Sequence, residues 1–366
     1  LRAQTSQTFI DEFSTFLNTN QIILSQSNKL FKLTNLYLNE ESTYDNITVY
    51  DDFIPVFITK CINVSNDTSF LVDSLSIIER LVRNNQTSKL FVNYFESLIS
   101  HFRPPLIDSV VRHISRIISL LLSQLKDIQT EILKYKTELS NVASFAFNEE
   151  NETTLSVLSL FGVLTNLTTT QSLCNELNIP NLIINFLSSK NDKIIQMTIR
   201  VLITISSVSS GNEMIGLSNA IRPLFLLCSN KANLKKFGKE ALCCVSNLIR
   251  YGKGWTYCLE FLDQLFELYD DDELSKIVIL ITYRIFNEAS YSIANHDECD
   301  IFSNQKLINE FIDRIRDKLI DDNNDILIGI ILVFSKTEPT RNLLIQKNII
   351  DVIDKMIYQC SIDDKR

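Results

Sequence analysis

NIPNLIINFLSSKNDKIIQMTIRVLITISS, residues 178–207, is the stretch whose reading decides the fold. Pro180 heads a short apolar run, a position where proline is tolerated because the first N–H groups of a helix have no partner. A polar break at Ser188–Asp192 follows, and after it a longer apolar helix. The same phrase occurs twice more. Phe53-Ile54-Pro55-Val56-Phe57-Ile58 leads into a break at Asn63–Ser69, and Ala220-Ile221-Arg222-Pro223-Leu224-Phe225 into a break at Ser229–Lys235. Extending this frame along the chain places unit starts near 51, 92, 134, 178, 219, 261, 309 and 349, at spacings of 41, 42, 44, 41, 42, 48 and 40. A constant period in the low forties, with two main helices per unit, is the mark of a helical repeat array.

Composition points the same way. The chain has 366 residues, of which only 7 are glycine and 6 proline. A doubly wound α/β fold needs glycine at its strand-to-helix turns, and an all-β sandwich needs Gly, Asn and Pro at its hairpins. Long stretches with few breakers fit helices instead. The formal net charge of −9 argues against a nucleic-acid binder, which needs a basic stripe. The longest apolar runs, Ile326–Phe334 and Ile277–Ile281, are far short of a membrane span. The helix His113–Leu125 is apolar almost all round and reads as a buried core helix. Eight scattered cysteines with no CxxC pair read as reduced thiols of a cytoplasmic protein. The chain begins at Leu1, as expected of a piece cut from a longer protein.

With NIPNLIINFLSSKNDKIIQMTIRVLITISS, the stretch KKFGKEALCCVSNLIR at 235–250 resembles armadillo repeats, and the resemblance covers about residues 50–350. It implies an all-α fold, a right-handed α-solenoid or superhelix of about seven repeats. Residues 1–50 are then an N-terminal helical cap or atypical repeat. The array fills 51–348 with a surface insertion near 290–304, and 349–366 form a capping helix and charged tail. End units must cover the exposed face of such an array.

In armadillo proteins the last helix of each repeat lines a concave groove and often carries Asn in a pattern such as L-S-N-L. Val245-Ser246-Asn247-Leu248 and Leu164-Thr165-Asn166-Leu167 match it. Stepping that register gives Asn84, Gln124, Asn166, Ser207, Asn247, Asn287 and Lys336, at steps of 40, 42, 41, 40, 40 and 49. An amide offers two donors and an acceptor, so a row of them can hold peptide main chain without reading its sequence. The resemblance implies that role for Asn84, Asn166, Asn247 and Asn287. Helix capping or tying of the inter-repeat turn is the competing role. One turn earlier stand Arg80, Leu120, Gly162, Ile203, Cys243 and Tyr283. Importin-α-like proteins carry Trp at that position, and this row has none. Arg80, Arg83, Arg250, Lys253, Arg284 and Lys336 lie nearby; if they face the groove the ligand is acidic, as in β-catenin-like grooves.

Catalytic chemistry finds no frame. His101, His113 and His296 lie in no HExxH motif, and the His296–Cys299 pair lacks the further ligands zinc needs. Asp321–Asp325 opens like an EF-hand loop, but Ile326 stands where glycine is needed and Leu332 where glutamate is needed. Gly252-Lys253-Gly254 lacks the phosphate-loop frame. The expectation is therefore a non-enzymatic scaffold or adaptor without cofactor or metal. Its partners are proteins, either an extended peptide or a partner domain held along the concave groove, with no nucleic acid and no membrane insertion. Two narrower alternatives are the armadillo region of a diaphanous-type formin, a GTPase-linked cytoskeletal regulator, and an importin-α-like nuclear import adaptor.

Overall fold

The computed structural model describes residues 62, 68–83, 88–146, 152–207, 216–250, 254–271, 273–294, 305–321, 325–336 and 338–355. The cap expected over 1–50, Pro55 and Asn84 lie outside them. Among the described residues every regular element is helical. The chain divides at 215/216 into two compact units.

Seven helices recur as the last helix of a repeat: α1 (Thr68–Leu81), α2 (Asp108–Gln124), α3 (Glu152–Asn166), α4 (Asp192–Ser207), α5 (Lys231–Leu248), α6 (Ser275–Ala294) and α7 (Asp325–Phe334). The first unit holds α1–α4 and the second α5–α7. Within each unit, successive members pack side by side as a ladder. Shorter helices such as Ile179–Asn185, Ile221–Cys228 and Leu262–Glu267 precede them in their repeats. In α2 the buried positions Val110, Val111, Ile114, Ile117, Ile118, Leu121 and Leu122 follow the helical spacing of three and four.

The polar breaks act as helix starts. Asn230 accepts from the backbone N–H of Ala232 at 2.8 Å at the head of α5, and Asn191 accepts from Lys193 N–H at 3.0 Å at the head of α4. Asp271 accepts from Glu273 and Leu274 N–H, each at 3.0 Å, just before α6. These oxygens satisfy donors that the first helical turn leaves without partners.

The glycine shortage is met by asparagine. Asn178 and Asn348 take left-handed backbone, with φ of 53° and 55°, each directly before a short helix. Short polar side chains tolerate this conformation better than other non-glycine residues. Pro180 lies in the first turn of the helix that Asn178 introduces.

The sequence period reappears as a bonding period. Bonds between neighbouring repeats join Arg116 to Ser156, Lys136 to Glu176, Asn141 to Phe102 and Gln264 to Phe225, pairs that lie 40, 40, 39 and 39 residues apart. Thr153 Oγ1 donates to the Asp108 carbonyl at 3.2 Å, which sets the N-terminal ends of α2 and α3 beside each other. The second unit is sealed by rings: Phe311 lies 5.1 Å from Phe266, 5.0 Å from Phe286 and 5.7 Å from Phe334.

The helix 113–125, read as a buried core helix, is buried on its packed sides but keeps one open side, where Arg116 and Leu120 are half-exposed and Ser123 is exposed, in line with half-exposed Arg112 just before it. The adjacent ladder helices flank α2 and leave that stripe uncovered. Of the insertion expected near 290–304, residues 290–294 form the end of α6, and 295–304 lie outside the described residues.

Asn178→Ala is expected to lower stability by about 1 kcal/mol, the cost of left-handed backbone for a residue with a Cβ and no local polar contact. Asn178→Gly should hold or raise the urea midpoint. Equal effects of the two variants would show that the conformation is not what Asn178 supplies.

Candidate functional site

Each ladder helix leaves one stripe open. On α2 it is Arg112, Arg116, Leu120 and Ser123; on α3 Leu155, Ser159, Gly162 and Asn166; on α4 Lys193, Gln196, Arg200, Ile203 and Ser207. In the second unit it is Lys235, Lys239, Cys243, Asn247 and Arg250 on and just past α5, and Lys276, Leu280, Tyr283, Asn287 and Tyr291 on α6. The spacing of three or four residues puts each set on one face of its helix. Because the ladder helices lie side by side, the stripes of a unit form one surface.

The amide register falls at the C-terminal end of this surface. Gln124, Asn166 and Ser207 are the last residues of α2, α3 and α4. Gln124 Oε1 and Asn166 Oδ1 are buried and have no hydrogen-bond partner among the described residues. Ser207 is exposed and donates to the Thr204 carbonyl at 2.9 Å. In the second unit Asn247 is half-exposed one residue from the end of α5, and Asn287 is half-exposed inside α6. Arg80 is half-exposed at the end of α1, Arg250 is exposed just beyond α5, and Tyr283 is half-exposed on α6 with its ring over Gly329 of α7. A Cβ at Gly329 would stand 3.1 Å from that ring, so the small residue permits the close approach. Trp255 is buried.

Arg112, Arg116, Lys193, Arg200, Lys235 and Lys239 were missed by the sequence reading. They stand two or more turns before the amide register, and the reading stepped back only one. Their signal was a cation recurring on successive ladder helices. A chain of net charge −9 thus presents basic stripes on the open faces of α2, α4 and α5.

A buried carboxylate fixes part of this surface. Glu79 of α1 accepts from Arg83 at 3.1 Å, meets His113 Nδ1 at 2.8 Å, and has Arg116 Nη1 at 3.9 Å. Burial pushes the Glu79 pKa up. Hydrogen bonds to His113 and Arg83, with the charges of His113 and Arg116, outweigh it and hold the carboxyl below its ordinary value. Arg116 Nε donates in turn to Ser156 Oγ of α3 at 3.0 Å. In the second unit Arg284 of α6 donates to Ser246 Oγ of α5 at 2.8 Å and to the Ser246 carbonyl. Burial and the neighbouring Arg250 lower the Arg284 pKa.

Among the described residues no three His, Cys, Asp or Glu side chains gather as a metal site. Burial pushes the Cys174 and Cys228 thiols up to about 12, and Cys258 higher still. Such thiols are not nucleophiles at neutral pH. Cys243 stands half-exposed on the open stripe of α5. Among the described residues, no helix is long and apolar enough to cross a membrane.

No family model matches this sequence, and no curated protein matches it. Solved structures do. A designed armadillo repeat protein in complex with the peptide (KR)4 aligns with a TM-score of 0.52 and 14% identity, over 63% of this chain and 98% of its own. A computationally designed armadillo repeat protein for modular peptide recognition aligns with a TM-score of 0.52 and 11% identity, over 66% of this chain and 98% of its own. The chain therefore has an armadillo-type α-solenoid fold.

Replacing Glu79 by Gln is expected to destabilise the first unit by about 2 kcal/mol at pH 7, since three basic partners lose a charged acceptor. The sign follows from the lowered pKa. The contribution is present above the ordinary value of 4.5 and disappears as pH falls through the lower folded value. Unfolding midpoints from pH 7 to pH 3 should therefore converge for the two proteins at the acid end; a constant gap would contradict the assignment. At pH 8, limited alkylation followed by peptide mapping should modify Cys243 ahead of Cys174, Cys228 and Cys258; labelling of Cys258 first would refute the burial order.

Proposed function

We propose that the protein is a non-enzymatic scaffold that binds an extended acidic peptide segment of a partner protein along the open face of the ladder helices. One observation carries the reading: an amide row and a set of cations share that face. Gln124 and Asn166 end neighbouring helices with buried side-chain oxygens that lack partners among the described residues. Both residues are half-exposed at the open face, where an amide can hydrogen-bond peptide main chain. Arg112, Arg116, Lys193 and Arg200 stand on the same stripes, two turns or more toward the N-terminal ends. The amides would hold main chain and the cations would select acidic side chains.

Peptide binding by the designed relatives supports the mode, though the polarity is opposite. The ligand named for one of them is (KR)4, whereas the face described above is itself basic. That polarity and the burial of Trp255 weigh against an importin-α-like reading. In the second unit the role passes to Asn247, Asn287, Arg250 and Tyr283, with Lys235 and Lys239.

The test uses a fluorescent pool of Asp/Glu-rich decapeptides and the intact chain. Binding should weaken as salt rises, and Asn166→Ala with Asn247→Ala should weaken it by about tenfold while the circular dichroism spectrum stays unchanged. Bound peptide should also slow alkylation of Cys243. Unchanged affinity in the folded double variant would remove the amide row from the mechanism.

A further inference from the structure

The open face of the first unit is not uniform. A cleft of about 330 Å³ sinks into it where α2, α3 and α4 run side by side. Its floor is the hydroxyl-bearing stripe of α3, Ser156 and Ser159. Arg116 of α2 and Lys193, Gln196 and Arg200 of α4 also line it, with Leu155 and Met197. The fit of α3 to α4 is close, since a Cβ at Gly162 would stand 3.1 Å from Val201.

The polar groups are oriented. Ser156 Oγ donates to the Glu152 carbonyl at 3.1 Å and accepts from Arg116 Nε at 3.0 Å, so it holds the guanidinium at the rim of the cleft. Two carboxylates lie close by. Glu152 is 3.7 Å from Lys193, and both side chains are more than half exposed, so this pair is weak and easily exchanged. Glu79 is 3.9 Å from Arg116, but its shorter contacts go to His113 and Arg83. The cleft thus brings together three cationic side chains, the Gln196 amide and the Ser159 hydroxyl.

A peptide carboxylate brings one charge and two oxygens, fewer than these groups can engage. A phosphate monoester brings close to two negative charges and three acceptor oxygens, and it suits a site with guanidinium, ammonium and hydroxyl donors. We infer that the cleft bounded by Arg116, Ser156, Ser159, Lys193 and Arg200 is a subsite for a phosphorylated serine or threonine within the acidic peptide. The inference rests on the acidic-peptide reading and sharpens it. Arg116, Lys193 and Arg200 engage the phosphate oxygens, Ser156 positions Arg116, and Leu155 and Met197 at the rim cover the carbons of the modified side chain. The site makes binding conditional on modification of the partner.

The experiment compares two fluorescein-labelled Asp/Glu-rich decapeptide pools on the intact chain, identical except that the central residue is phosphoserine or serine. The phosphoserine pool should bind about tenfold more tightly, the worth of one or two charge-assisted hydrogen bonds. Arg200→Gln and Lys193→Gln, both at exposed side chains, should each weaken binding of both pools, because both cations also face the acidic residues, but should cost the phosphoserine pool much more and so erase most of its advantage, with the circular dichroism spectrum unchanged. Lys239→Gln, in the second unit, should leave the advantage intact. Equal binding of the two pools overturns the subsite and leaves the acidic-peptide reading standing; failure of both pools to bind overturns both. Vesicles containing phosphatidylinositol 4-phosphate provide the last arm. If they bind, lose binding with Arg200→Gln, and the phosphoserine pool shows no advantage, the cleft belongs to a lipid headgroup and the inference is wrong.

Discussion

Every ladder helix must bury its flanks against the helix one repeat away, and the rest of the molecule follows from that constraint. A single unit of about forty residues cannot cover its own apolar surface, so it is stable only as part of a stack. The stack is tied by pairs whose separation equals the repeat: Arg116 with Ser156, Lys136 with Glu176, Gln264 with Phe225. Small residues set how closely the flanks approach. Gly162 lets Val201 come against α3, and Gly329 lets the Tyr283 ring come against α7. Once both flanks and the back of a helix are committed, one stripe remains for solvent or a ligand.

That leftover stripe is where the charge of the chain is sorted. The chain as a whole is acidic, yet α2, α4 and α5 turn arginine and lysine outward on their open sides. Holding cations together on one face costs self-repulsion, and Glu79 offsets part of it from below. Desolvation would favour a protonated Glu79, yet its three basic neighbours keep it charged. A buried anion under a basic surface orders His113 and Arg116 without neutralising the whole face. The second unit reaches the same end differently, anchoring Arg284 on Ser246 and laying Lys336 over the Tyr291 ring at 5.2 Å.

Much of this was written in the local sequence. Pro180 and Asn178 mark a repeat start because each residue type has a narrow backbone preference, and the structure uses both. Asn348 repeats the device four repeats later. The helix starts at Asn191, Asn230 and Asp271 were legible for the same reason, since a cap is a local bond. Features joining distant residues were not legible. Thr170 donates to the Leu164 carbonyl and Thr340 to the Phe334 carbonyl, closing the turn after α3 and after α7 in the same way, yet a threonine in a polar break has no signature of its own. The open side of α2 was hidden because Arg112, His113 and Arg116 are few among many apolar neighbours. Glu79 lay unseen because two of its three partners, His113 and Arg116, come from the next repeat. The cleft was invisible too, since it needs the side chains of three helices, each from a different repeat.

The central claim is that the open face of the ladder, with its amide row and its cations, is where a partner lies. A crystal structure of the intact chain with the tightest-binding acidic peptide tests it most directly. The account predicts an extended peptide crossing the ladder helices, its main chain bonded to the Gln124 and Asn166 side chains and its acidic groups against Arg116 and Arg200. A peptide seated on the shorter outer helices, with the ladder face bare, would contradict it.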